Sequence, residues 1–322
     1  MNQREIAEKL KISQATVSLA LKNSTKISPE LRESVRNLAV ATGYQPNLAG
    51  QMLRQGRSNA VGVLFPSFTN LFYSELFQEL QRQLMADGYL LCLTRADSNA
   101  DLAEAVEKLR AMKVCAVIAL GQMAGPLFEL LRAEIPLIIY GGDEKLEIPV
   151  SQVLPDRFRG GFELTTFLIE RRHRRRIAFV GCSNPAELRF RGYLAALAGS
   201  GLEFRPELVI APSAQAADGY LMMIQLLAAH PEVDAVFCHN DETALGAMRA
   251  ALELRRRIPE DLTVVGFDNI SIGRFLTPSL TTVEQPRAAI AEALAASLRT
   301  AVAEPGKHQF HSIPCRLIER ES

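Results

Sequence analysis

Eight short apolar runs, rich in β-branched residues, recur between residues 60 and 268, each followed by an amphipathic stretch. They are Val61–Phe65, Tyr89–Leu93, Val114–Leu120, Leu137–Tyr140, Ile177–Gly181, Glu207–Ile210, Ala235–Cys238 and Leu262–Phe267. Runs apolar on both faces mark parallel strands covered by helices on both sides. Eight exceed one ordinary small sheet, so the pattern predicts two doubly wound α/β halves with a break near Gln152–Phe162.

The first 57 residues have a different texture. Ile6, Ala7 and Leu10 share one face of a short helix; Lys11-Ile12-Ser13 makes a turn; Ser13 caps a second helix whose Val17, Ala20 and Leu21 point inward. Ser28-Pro29-Glu30 opens a third helix with a cap, a first-turn proline and a first-turn acid, and Gly43 ends it. Three helices in so short a segment make a small bundle. A second helix with a polar outer face after a tight turn is built to enter a DNA major groove. Asn47 then caps a short helix to Arg54, followed by linker-like Gln55-Gly56-Arg57-Ser58.

Charge agrees with that division. Formal net charge is zero over 322 residues, but residues 1–57 hold nine Lys/Arg against four acids, a net of +5, which leaves −5 on the remainder. A basic head on an acidic body suits a DNA reader joined to a regulatory module. The five cysteines form no Cys-x-x-Cys pair, and three sit in apolar runs, as reduced cytosolic thiols do. With no signal segment and no membrane-length apolar run, the expected location is the cytoplasm, without membrane contact.

The chain resembles the LacI/GalR family of transcription regulators. In the head the resemblance lies in Ala15-Thr16-Val17-Ser18, Ser28-Pro29-Glu30-Leu31-Arg32 and Gly43-Tyr44-Gln45-Pro46-Asn47. In the remainder it lies in Val61-Gly62-Val63 before Asn70-Leu71-Phe72-Tyr73, in Asn240-Asp241-Glu242-Thr243-Ala244-Leu245-Gly246, in Val265-Gly266-Phe267-Asp268 and in Pro278 through Pro286. It implies an all-α helix-turn-helix head (1–46), a hinge helix and linker (47–59), and a periplasmic-binding-protein-like α/β core. The core's two doubly wound parallel-sheet subdomains comprise 60–155 with 286–310, and 156–285 with 311–322.

The resemblance makes Gln14, Ala15 and Leu19 the base readers, with Ser13, Thr16, Ser18 and Lys22 as further DNA contacts. Gln bonds adenine bidentately, and Ala or Leu meets thymine methyls. Leu19 stands where the family often has arginine, which shifts operator preference toward methyl contacts. Lys22, Lys26 and Arg32 suit phosphates. Asn47, Gly50 and Leu53 fall on the hinge: Leu53 is the minor-groove wedge, and Gly50 replaces the usual alanine, so the hinge should be harder to order. In the core the resemblance places Asn70, Phe72, Tyr73, Arg189, Asn240, Asp268 and Gln285 around an effector. Asp241 is expected to cap the helix after it, and Phe72 suits a core position as well as a ligand platform. Sugar-binding relatives often carry Asp-Arg after the fourth strand; here Tyr140-Gly141-Gly142-Asp143 stands there. The Arg171–Arg176 run is expected to be a solvated helix end.

No nucleophile elbow, phosphate loop or metal-ligand spacing appears, so neither an enzyme nor a cofactor is expected. The expectation is a homodimeric repressor, binding a pseudo-palindromic double-stranded operator and answering to a sugar or sugar derivative. The alternatives are a purine or other metabolite as effector, a solute-binding protein without DNA function, and an α/β enzyme acting on a sugar.

Overall fold

The computed structural model describes residues 2–21, 23–44, 58–67, 69–96, 99–121, 124–131, 134–211 and 215–322. The chain divides into two compact units, Met1–Arg57 and Ser58–Ser322.

In the first unit α1 spans Gln3–Leu10, α2 Gln14–Leu21 and α3 Pro29–Ala41. Asn2 and Glu5 form a reciprocal capping box on α1. Lys11 ends α1 in the left-handed region (φ 54°), and its N–H closes onto Ala7 and Glu8 carbonyls. Ser13 Oγ then accepts from Thr16 N at 3.0 Å and starts α2. Ile6, Ala7, Val17, Ala20, Val35 and Ala39 bury together as the bundle's core. The expected hinge residues Asn47, Gly50 and Leu53, and the contact residue Lys22, lie outside the described residues.

The second unit contains two six-stranded sheets. The first lobe holds β1 (Ala60–Phe65), α4 (Leu71–Ala86), β2 (Leu90–Arg95), α5 (Asn99–Ala111), β3 (Ala116–Leu120), α6 (Ala124–Leu131), β4 (Leu137–Tyr140) and β5 (Ser151–Pro155). The chain crosses to the second lobe for α7 (Arg157–Glu170), β6 (Ile177–Val180), α8 (Leu188–Gly199), β7 (Val209–Ile210), α9 (Ala216–Ala229), β8 (Ala235–Cys238), α10 (Asp241–Glu253), β9 (Thr263–Asp268) and β10 (Thr281–Glu284). It returns for α11 (Arg287–Ala303) and β11 (Phe310–Ile313), and crosses a last time to β12 (Arg316–Ile318). The sheet orders are β11-β5-β4-β3-β1-β2 and β12-β10-β9-β8-β6-β7, parallel throughout except the β10–β12 pair. Both lobes thus share one doubly wound order, whose switch points fall between β1 and β3 and between β6 and β8.

Each of the eight apolar runs overlaps a strand. Four further strands, β5, β10, β11 and β12, lie outside those runs because polar residues fill them. Thr281 is buried, yet its N–H and hydroxyl bond to Ser322 at 2.8 and 3.0 Å. Residues 311–313 were expected in the second subdomain; they sit in the first sheet, with His311 opposite Val153 and Ser312 opposite Leu154. Their pairing covers the outer edge of β5, so the third crossing follows Ile313.

The basic run lies at the end of α7 and is mostly exposed, as expected, and three of its arginines also have partners. Arg172 donates to the Arg320 carbonyl at 3.1 Å, Arg174 to Thr263 Oγ1 at 3.0 Å, and Arg171 pairs with Glu319 at 3.0 Å. It fastens the C-terminal segment and a loop to the second lobe.

Candidate functional site

In the head, Ser13, Gln14, Ala15 and Leu19 are exposed, and Thr16 and Ser18 half-buried. Val17 and Ala20 face the bundle core. The outer face of α2 is therefore short and uncharged among the described residues, with Leu19 37% exposed, an apolar side chain that its own bundle covers only in part. Ser13 and Thr16 also bond each other through their hydroxyls at 2.8 Å, so both have a role at the helix start.

In the second unit the carboxyl ends of parallel strands from both lobes converge on one cavity of about 280 Å³. Pro66 and Asn70 follow β1, Gly121 follows β3, and Gly141, Gly142 and Asp143 follow β4. Glu187 and Arg189 follow β6, His239 and Asn240 follow β8, Asp268 ends β9 and Gln285 follows β10. That is where an open α/β sheet holds ligands. All seven core residues singled out in the sequence, Asn70, Phe72, Tyr73, Arg189, Asn240, Asp268 and Gln285, line this cavity.

Two of them also serve as helix caps. Asn70 accepts from Tyr73 N at 3.3 Å to start α4, and Asn240 accepts from Thr243 N at 2.8 Å to start α10. The cap on α10 is thus Asn240, and not Asp241 as expected. Asp241 is fully buried, accepting from Thr282 Oγ1 at 2.6 Å and Ile270 N at 2.8 Å. Burial, then the nearby Asp268, raises its carboxyl well above the usual range. Phe72 is 3% exposed and packs into the first lobe's core, while Tyr73 stands edge-on to both Phe72 and Tyr140.

Arg189 is the electrostatic centre. It lies 3.6 Å from Asp268 and 3.6 Å from Glu187, donates to His239 Nε2 at 2.7 Å and stacks over Phe267 at 4.5 Å. The bond to Nε2 makes that nitrogen the acceptor, so the proton sits on Nδ1 and the ring is neutral. Burial and the charges of Arg189 and Arg157 hold the His239 pKa well below the ordinary value. Asp268 accepts from Gln285 Nε2 at 2.5 Å; burial raises its carboxyl, and Arg189 opposes that rise. Asp143 is raised as well, by burial and by Glu187.

Sequence reasoning missed Arg157, Glu187 and His239. Glu187 accepts from Phe190 N at 2.9 Å and caps α8 beside Arg189. His239 directly precedes the Asn240 cap. Arg157 occupies the first residue of α7, and a charged residue entering a buried helix face at a crossing was the available signal. Asp143 does reach the cavity, where the sequence left its position open. Among the described residues no cluster of His, Cys, Asp and Glu could hold a metal ion, and no helix is long and apolar enough to cross a membrane.

Comparison with known proteins gives concordant matches. Residues 3–47 match the model of bacterial regulatory proteins of the lacI family, and residues 165–322 that of the periplasmic binding protein-like domain. The transcriptional repressor CytR of Escherichia coli is 30% identical over 293 residues, covering 88% of this chain and 84% of that protein. The repressor PurR of Erwinia tasmaniensis is 29% identical over 295 residues, covering 90% and 86%. Among solved structures, the regulator CelR in complex with cellobiose is 28% identical with a TM-score of 0.76, covering 100% of this chain and 99% of that one. The Lac repressor dimer bound to operator has a TM-score of 0.86 at 21% identity, covering 100% and 98%, a likeness of fold alone.

Proposed function

The chain belongs to the LacI family of bacterial regulatory proteins, and we propose that it is a homodimeric repressor whose operator affinity is set by a sugar or sugar derivative held in the interlobe cavity. The observation that carries the effector reading is the convergence of Asn70, Arg189, Asn240, Asp268 and Gln285, from both lobes, on one cavity that also presents Tyr73. Carboxylate acceptors opposite guanidinium and amide donors grip neighbouring hydroxyls from two sides, and an aromatic wall covers a ring face. At about 280 Å³ the cavity lies at the lower end of ordinary ligand pockets. A ligand that contacts both lobes favours the closed arrangement and so couples to the operator. The sugar reading is supported further by relatives solved with cellobiose and with ribose, the latter a regulator from Enterococcus faecium 29% identical with a TM-score of 0.72, covering 82% of this chain and 98% of that one.

A purine is the second reading, favoured by the edge-on arrangement of Tyr73 against Phe72 and Tyr140, which leaves a flat ring at the cavity. On the DNA side, Gln14, Ala15 and Leu19 read bases; Ser13, Thr16, Ser18 and Lys22 support them; Asn47, Gly50 and Leu53 form the hinge. The test is gel retardation with the DNA upstream of the protein's own gene, at several salt concentrations, with and without ligands that raise the melting temperature. Retardation that a sugar modulates is expected. No shift at low salt overturns the operator reading, and a response to purines alone overturns the sugar reading.

A further inference from the structure

Two guanidinium groups face the cavity, and only one of them is neutralised. Arg189 has Glu187 and Asp268 beside it, each at 3.6 Å. Arg157, only 8% exposed, forms no ion pair among the described residues; Glu187 acts on its charge from beyond ion-pair distance. Its Nε donates to Gln285 Oε1 at 3.2 Å, an oxygen that also accepts from Tyr140 Oη at 2.9 Å. Its guanidinium carbon lies 5.6 Å from the Tyr140 ring centroid. The two terminal nitrogens end against Gly141 in the cavity wall, where an added Cβ would stand 3.4 and 3.9 Å from them. Gly141 has a φ of +102°, a backbone conformation that side chains rarely adopt, so the wall beside the two nitrogens carries no side chain.

We propose that the effector carries an ionised acid group, a carboxylate or a phosphate monoester, and that Arg157 receives it. The proposal deepens the sugar-derivative reading and rests on it. A buried charge is retained when something pairs with it, and a planar guanidinium fork fits carboxylate and phosphate oxygens in a bidentate manner. The other charged groups of the wall are already engaged. Asp268 takes the Gln285 amide and Arg189; Glu187 takes the Phe190 N–H and Arg189. Asp143 lines the cavity too; burial and Glu187 raise its carboxyl, Arg157 opposes that rise, and the two form no ion pair among the described residues. A ligand of hydroxyl groups alone would leave Arg157 without an ion-pair partner in a closed cleft, with Glu187 acting on it only from beyond ion-pair distance. The cavity size limits the ligand to about one sugar ring with its acid group.

The experiment is calorimetric titration of the full-length protein with hexuronates, aldonates and pentose and hexose phosphates, each beside its neutral parent sugar, and with purine bases. At least one acidic member should bind about tenfold or more tightly than its neutral parent. Arg157→Gln should abolish that preference, and Arg157→Lys should retain part of it. The carboxylate and phosphate arms identify the acid. A neutral sugar that binds as tightly as its acid derivative overturns the proposal and leaves the sugar reading intact, as does a preference that survives in Arg157→Gln. Binding of purine bases alone overturns both. Silence from every acidic member also overturns the proposal. Melting temperatures of the two variants, compared with the parent, show whether a lost preference reflects lost folding.

Discussion

At the scale of single residues, the interlobe cavity is a set of charges that hold one another. His239 accepts from Arg189, which in turn bridges Glu187 and Asp268. A histidine kept neutral when folded but free to protonate when unfolded makes stability depend on pH. The unfolded chain binds the extra proton below about 6.5, so this contribution is present above that pH and is lost as pH falls toward the depressed folded value. Thermal melts between pH 8 and pH 5 should show His239→Gln losing less stability than the parent, by at most about 1.4 kcal/mol per pH unit. Equal slopes would remove the argument. In the head, Gln14→Ala should cost about 1–3 kcal/mol of operator affinity and relax selection at one base position per half-site, as read by gel retardation against operator variants. Ser13 and Thr16 were recognisable as helix-start residues because capping is a short-range property. The neutral state of His239 was not, because it depends on guanidinium groups 50 and 82 residues away in sequence.

At the scale of elements, the second lobe depends on two close helix crossings built from glycine. A Cβ on Gly192 of α8 would stand 2.3 Å from the Phe158 carbonyl of α7, and one on Gly246 of α10 would stand 1.8 Å from the Ala216 carbonyl of α9. Backbone cannot yield as a side chain does, so Gly246→Ala should cost about 1–3 kcal/mol or more in urea unfolding. An unchanged midpoint would show that α9 and α10 can slide apart freely. The expected hinge helix gives the opposite case. If residues 48–54 fold on the operator, Gly50→Ala should tighten binding by about 1 kcal/mol per subunit, or roughly thirtyfold for the dimer, through helix propensity alone. No gain in affinity would dispose of the hinge argument. The eight apolar strands were legible because their runs are apolar, and in six of them, all but β2 and β7, every residue is buried. β5, β10, β11 and β12 were not, because their polar residues are satisfied by partners far along the chain, such as Thr281 with Ser322.

At the scale of the whole molecule, the core's two lobes touch across the cavity mouth as well as through the three crossings. Glu242 accepts from Leu71 N at 2.6 Å, and Glu75 accepts from Ser271 N at 3.0 Å while lying 3.3 Å from Arg287. Glu75→Ala should therefore loosen closure and weaken effector binding several-fold while the core remains folded, a split visible in titration calorimetry beside a melt. Operator binding should fall steeply with salt, because the head carries the molecule's basic excess. In a dimer each phosphate contact counts twice, so Lys26→Gln should reduce the slope of log K against log salt by about 2. An unaltered slope would place Lys26 away from the phosphates.

What the sequence determined by itself is whatever local periodicity and capping encode: a three-helix head with a short reading helix, and an α/β core made of buried strands. Its ordered motifs also singled out seven residues that line one cavity. The tertiary structure decided which charges meet there. Arg157, Glu187 and His239 come from three separate connections, and they share a cavity only because parallel strands in two lobes direct their carboxyl ends toward each other. Apolar patterning specifies which face of an element is buried; it does not specify which loops, a hundred residues apart, arrive at the same place. Arg157 illustrates the difference: in the sequence it is one arginine at a helix start, and in the fold it is a buried guanidinium in a cavity wall, with no ion-pair partner among the described residues.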